Sequence, residues 1–118
     1  MPTDVLLIDD DAAFRKTVIR VLSANGFQAR GAGSGQSGVE DALSNPPQLV
    51  LLDLVLPGMQ GLEVCQALKQ REETSGVPIL VLTGNDREGQ DITCLDMGAD
   101  GYLTKPVKTA RLPAHCRP

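Results

Sequence analysis

Three short apolar runs, each cut off by a polar residue at its C-terminal end, constrain this chain more than any other feature. Val5-Leu6-Leu7-Ile8 stops at Asp9-Asp10-Asp11, Leu49-Val50-Leu51-Leu52 at Asp53, and Ile79-Leu80-Val81-Leu82 at Thr83-Gly84. Runs this short and continuous suit strands buried on both faces rather than strands with one wet side. Amphipathic stretches lie between them. Phe14, Val18, Val21 and Leu22 mark a helix over 12–24, with Asp11 as its N-cap and Asn25-Gly26 as its stop. A weaker strand over 27–32 leads into a glycine- and serine-rich turn over 33–38. A short helix marked by Val39, Ala42 and Leu43 then ends before Asn45-Pro46-Pro47. Leu62, Cys65 and Leu68 give a third helix ending near Arg71, and Ile92, Leu95 and Met97 a fourth, over 86–97, stopped by Gly98. The last strand, Gly101-Tyr102-Leu103, precedes Lys105-Pro106. The ending is expected to be helical only as far as Leu112, because Pro113 intervenes.

The order is therefore β-α five times, which predicts an α/β fold: a doubly wound parallel sheet with helices on both faces. At 118 residues this is one domain, expected over 4–112, with 113–118 as an irregular tail. Fifteen acidic residues against eleven basic ones leave a net charge of −4 and no basic stripe, which argues against direct nucleic-acid binding. No apolar run approaches the ~18 residues of a membrane span. The opening MPTDVLLIDDDAA has no basic n-region, and aspartates interrupt its apolar stretch at once, so a cytoplasmic protein without a membrane anchor is expected. Cys65, Cys94 and Cys116 are odd in number and widely spaced, which speaks against a disulfide framework or a zinc site. His115 is the one histidine. Whatever chemistry there is falls to the acids.

In an open parallel sheet, sites form beyond the carboxyl ends of the strands. Asp9-Asp10, Asp53, Thr83 and Lys105 all stand at such ends, so three carboxylates, a hydroxyl and an ammonium converge on one edge. Like charges packed together repel and call for a cation, and an all-oxygen cluster suits Mg²⁺. A carboxylate beside Mg²⁺, an ammonium and a hydroxyl is also what a phosphoryl acceptor needs. Taken singly, each residue has a plainer account: Asp9 and Asp10 as helix caps, Thr83 as a turn residue, Lys105 as a solvated charge, Tyr102 as packing at a sheet edge. Those accounts do not explain their joint placement at the ends of four strands.

These residues resemble the receiver domain of two-component response regulators from about Val5 to Leu112. The family's acidic pair stands in LLIDDD as Asp9 and Asp10, and its Asp-x-x-x-Pro-x-x-x-Gly motif as Asp53, Pro57 and Gly61. Thr83 in LVLTGN matches the switch hydroxyl, Tyr102 the switch aromatic, and Lys105 in Lys-Pro the lysine. The resemblance implies a flavodoxin-like (βα)5 fold with strand order 2-1-3-4-5, here with a shortened fifth helix. It implies a signalling switch rather than an enzyme. Asp53 would accept phosphoryl from a sensor histidine kinase or a histidine phosphotransfer protein. Asp10 and Asp53 would ligate Mg²⁺, Asp9 mainly through water, and the Val55 backbone carbonyl would complete the protein ligands. Lys105 would pair with the phosphoryl group. Thr83 would move towards that group and let Tyr102 turn inward, remodelling the surface around the fourth helix and fifth strand. The Lys105–Pro106 bond is expected to be cis, and an output domain beyond residue 118 is a further expectation. With few apolar residues in the last helix, apolar surface beside strands one and five should be exposed, and any homodimer should use it.

Two other classes have support in the residues. Gly33-Ser-Gly35-Gln-Ser-Gly38, with Asp53 twenty residues past Gly33, satisfies a dinucleotide-binding fingerprint but leaves Asp9, Asp10, Thr83 and Lys105 unexplained. Asp9-x-Asp11, Thr83 and Lys105 mimic a haloacid-dehalogenase-type phosphatase with Asp9 as nucleophile. Such an enzyme needs a downstream acidic pair, and nothing after Lys105 is acidic.

Overall fold

The computed structural model describes residues 3–54, 56, 58–83, 98–104 and 111–116, with the side chains of Thr83, Thr104 and His115 outside that set. Five strands form one sheet: β1 Asp4–Ile8, β2 Gln28–Ala32, β3 Leu49–Asp53, β4 Ile79–Thr83 and β5 Gly101–Thr104. Their order is β2-β1-β3-β4-β5, and every neighbouring pair is parallel. This is the flavodoxin-like order that the resemblance implies.

Strand alternation explains why both faces are dry. Leu6, Ile8, Val50, Leu52, Ile79 and Val81 belong to one buried cluster, with Ala42 of α2 (Gly35–Ser44) and Val64, Cys65 and Leu68 of α3 (Gly61–Lys69). Val5, Leu7, Leu49, Leu51 and Leu82 belong to the other, with Val18 and Leu22 of α1 (Ala12–Ala24) and with Leu112 and Cys116 of a C-terminal helix, Leu112–Cys116. Side chains at i and i+2 share a face, so continuous apolar strands must be covered twice. Among the described residues, no helix is long and apolar enough to cross a membrane.

α1 has the predicted bounds. Asp11 accepts the Phe14 amide at 3.1 Å, and Gly26 closes the C-terminus at φ 87°, a conformation that glycine adopts without strain. Two expectations are corrected. α2 begins at Gly35, not near Val39, because Ser34 and Ser37 form a capping box and the glycines let the helix seat closely. A Cβ at Gly38 would lie 2.5 Å from Ile8 Cδ1, and one at Gly35 2.8 Å from the Met59 carbonyl oxygen.

The second correction concerns the C-terminus. The chain was expected to lose its helix at Pro113 and to continue as an irregular tail, but Pro113 sits in the first turn of Leu112–Cys116 and is buried. A first-turn residue has no intrahelical acceptor for its amide, so proline costs nothing there. The helix is short, as expected. It nevertheless covers the sheet: Leu112 is fully buried and Cys116 nearly so. Of the apolar face expected to be exposed beside strands one and five, the described residues show Tyr102 of β5 as the exposed large hydrophobic side chain, while Val5, Leu7 and Leu82 are buried.

Candidate functional site

Register decides which polar residues meet. Ile8 of β1 pairs with Leu52 of β3, so Asp9 and Asp53 both stand one step further on, at the same level of adjacent strands. Asp53 in turn pairs with Leu82, one residue before Thr83. The consequence is a cluster in which Asp9, Asp10 and Asp53 each offer a carboxylate oxygen within 4.8 Å of the others. Asp9 is fully buried, Asp53 is 6% exposed, and Asp10 faces solvent. At that separation each pair of negative charges repels by about 1 kcal/mol in a water-like medium, and by more where water is excluded. The donor set is hard oxygen throughout, so these residues fit Mg²⁺.

The three acids are not equivalent. Asp9 Oδ1 accepts the Asp11 amide at 2.9 Å. The Asp9 backbone is also engaged, its amide donating to the Ala32 carbonyl at 3.1 Å and its carbonyl accepting from Arg15 Nη1 at 2.7 Å. Asp10 carries the open carboxylate. Asp53 is held from beneath by the turn that follows it. Gly58 has φ 74°, and the Gly61 amide donates to the Leu54 carbonyl at 3.0 Å. A Cβ at Gly61 would lie 2.6 Å from Leu54 Cα and 2.8 Å from the Asp53 carbonyl oxygen. The final glycine of the Asp53–Gly61 motif is thus a close backbone approach that any side chain would block.

Thr83 ends β4, paired with Thr104 of β5, while Tyr102 is 41% exposed on β5. The Thr83 hydroxyl, Lys105, Val55, the Lys105–Pro106 bond and the predicted helix over 86–97 lie outside the described residues. Arg15 was not singled out by the sequence, because its partner is a backbone carbonyl and leaves no mark in the residue pattern. The glycines of the dinucleotide fingerprint are accounted for by packing, Gly35 against Met59 and Gly38 against Ile8. Asp9, the nucleophile of the phosphatase reading, has no exposed surface and already accepts an amide.

Comparison with known proteins agrees with the fold. The family model described as response regulator receiver domain matches residues 5–117. The response regulator MprA of Mycolicibacterium vanbaalenii is 40% identical over 117 residues, 99% of this chain and 50% of that protein. The sensory transduction protein RegX3 of Mycolicibacterium smegmatis is 36% identical over 98% of this chain and 49% of its own length. The chain thus spans about half the length of these curated relatives. In structure it is similar to the chemotaxis response regulator CheY4 of Vibrio cholerae, with a TM-score of 0.92 and 25% identity over 98% of this chain and 96% of that one. A β2-β1-β3-β4-β5 sheet with an acidic cluster at its carboxyl edge, matched by the family model along nearly its whole length, belongs to the response regulator receiver domain family, a family of signalling domains.

Proposed function

We propose that this domain is the phosphoacceptor of a two-component relay, and that Asp53 takes the phosphoryl group from a phosphohistidine of a sensor kinase or histidine phosphotransfer protein. The observation that carries this reading is the placement of Asp53. It is nearly buried at the end of the central strand, with two further carboxylates within 4.8 Å, an all-oxygen arrangement suited to a divalent cation. In the step itself, an Asp53 carboxylate oxygen forms the new O–P bond as the P–N bond breaks. The electron pair of that bond returns to the ring nitrogen, and neutral imidazole leaves with the proton it held on its other nitrogen.

Asp10 and Asp53, with the Val55 carbonyl, would hold Mg²⁺, which offsets charge on the transferring oxygens. Asp9 would act through water, as befits a carboxylate with one oxygen already spent on the Asp11 amide. Lys105 would pair with the bound phosphoryl group, and the Thr83 hydroxyl would donate to one of its oxygens. Tyr102 starts exposed and would turn inward as Thr83 moves, changing the surface made by β5 and the 86–97 segment. The readout would be a kinase partner on one side and a segment beyond residue 118 on the other, with no direct contact to nucleic acid by this domain.

The test is intact-mass analysis after acetyl phosphate and Mg²⁺, on wild type and Asp53→Asn, followed by peptide mapping. Uptake of one phosphoryl group by wild type and none by Asp53→Asn is expected. Equal uptake by the variant refutes the assignment, and modification at Asp9 would favour the phosphatase-type chemistry instead.

A further inference from the structure

Asp9 lies one residue past the end of β1, where the sheet ladder gives out and a backbone carbonyl needs another partner. Arg15 supplies it through Nη1 at 2.7 Å, a charge-assisted bond at the short end of the usual range. That carbonyl and the Asp10 amide belong to one planar peptide unit, so whatever fixes the carbonyl fixes the plane from which Asp10 departs. Arg15 reaches it from α1 by lying across the end of β2. A Cβ at Gly31 would stand 3.1 Å from Arg15 Cδ, and one at Gly33 3.2 Å from Arg15 Nη1. Neither glycine has a positive φ, so the backbone does not require glycine at either place. The arginine side chain fills the room they leave.

We propose that Arg15 is a positioning residue for the acidic cluster: it holds the Asp9–Asp10 peptide so that the Asp10 carboxylate meets that of Asp53 at a separation one divalent cation can bridge. The proposal rests on the phosphoacceptor reading of that site. Two effects of Arg15 on a bound cation oppose one another. As a positive charge near three carboxylates it competes with Mg²⁺, so loss of the charge alone would tighten binding. As the clamp on the peptide it pre-organises a ligand, so loss of the clamp weakens binding. The clamp dominates because its bond is direct and short, whereas the charge acts on carboxylates that include the solvent-facing Asp10.

Mg²⁺ titrations of the whole chain, followed by the Asp10 and Asp53 amide resonances at a temperature where each protein is folded, separate the two. Arg15→Met should raise the Mg²⁺ dissociation constant by about five- to tenfold, the equivalent of one net hydrogen bond. Arg15→Lys keeps the charge but ends one atom short of the fork, so it should fall between Arg15→Met and wild type. A role in stability alone would lower the metal-free melting temperature and leave the dissociation constant of the folded molecule unchanged. Unchanged or tighter Mg²⁺ binding in Arg15→Met overturns the proposal. Should that variant not fold, Arg15→Lys carries the test: weaker binding supports the clamp, and wild-type or tighter binding overturns it. A wild type that shows no Mg²⁺ response at all removes the phosphoacceptor reading together with this one.

Discussion

Replacing Gly61 by alanine sets a helical preference against a backbone collision, and the structure decides which is larger. Alanine is favoured over glycine inside a helix by about 0.5–1 kcal/mol, and Gly61 is the first residue of α3. Against this, the added methyl would stand 2.6 Å from Leu54 Cα, 2.8 Å from the Asp53 carbonyl oxygen and 2.9 Å from the Leu54 carbonyl oxygen. Non-bonded carbons settle at about 3.5–4.0 Å. All three neighbours are backbone atoms, so no rotamer change relieves the contact, and either the exit of β3 or the start of α3 must move by roughly 1 Å. Strain of this kind costs ~1–3 kcal/mol. The Gly61 amide bond to the Leu54 carbonyl lies in the same contact and would be distorted with it. The expected net effect is a loss of ~1–2 kcal/mol, a melting temperature lower by about 3–10 °C. Because Asp53 sits on the displaced stretch, uptake of phosphoryl from acetyl phosphate should slow as well. Gly76→Ala is the control: nothing lies within 4 Å of its Cβ position and its φ is not positive, so it should be neutral or stabilising by ~0.4–1 kcal/mol. Calorimetry of both variants without Mg²⁺ makes the comparison. If Gly61→Ala melts at or above wild type, the close-approach account of the motif glycine is wrong.

Mg²⁺ at roughly ten times its dissociation constant should stabilise wild type by ~1.4 kcal/mol; Asp10→Asn should lose most of that response while melting higher than wild type in chelator. Leu112→Ala should cost ~2–5 kcal/mol, because this fully buried side chain is part of the lid on Val5, Leu7, Leu51 and Leu82; a shift within error in urea titrations would mean the C-terminal helix does not cover the sheet in solution. Burial pushes the Cys116 thiol up to about 11 from its ordinary 9.0. Its stabilising contribution is therefore complete below pH 9 and lost as pH rises towards 11, by at most roughly 2–3 kcal/mol, so wild type should lose more stability than Cys116→Ala between pH 8 and pH 10.5 in paired denaturant titrations.

β1, β3 and β4 could be read from the residues because each is an apolar run ended by a polar residue: Asp9 after β1, Asp53 closing β3, Thr83 closing β4. The same residues made the acidic cluster readable, since parallel strands bring their carboxyl ends together whatever the helices between them do. The start of α2 was hidden for a physical reason. Gly35 and Gly38 are poor helix formers taken alone, and only the distances to Met59 and Ile8 show that packing requires them. Pro113 misled in the same way, since proline stops a helix interior but opens a first turn, and no local pattern separates the two. Arg15 left no signal because its acceptor is the Asp9 carbonyl, a group that every residue type carries.

The two edges of the sheet arrange their acids differently. At the amino edge Asp4 is satisfied: Arg30 Nη1 lies 2.6 Å from its carboxylate, Arg30 Nε 2.8 Å from Asp41, and Arg30 Nη2 also donates to the Asn45 carbonyl. There a partly buried acid is matched with a cation from a neighbouring strand, as stability alone would arrange it. At the carboxyl edge Asp9, Asp10 and Asp53 lie close to one another, beside a glycine that admits no side chain and an arginine bonded to the Asp9 carbonyl. A domain whose total stability is about 5–15 kcal/mol tolerates several kcal/mol of repulsion only where the two buried clusters make up the loss. An all-oxygen cluster at the carboxyl edge is the chemistry that the proposed cation, and with it the proposed phosphoryl group, would use.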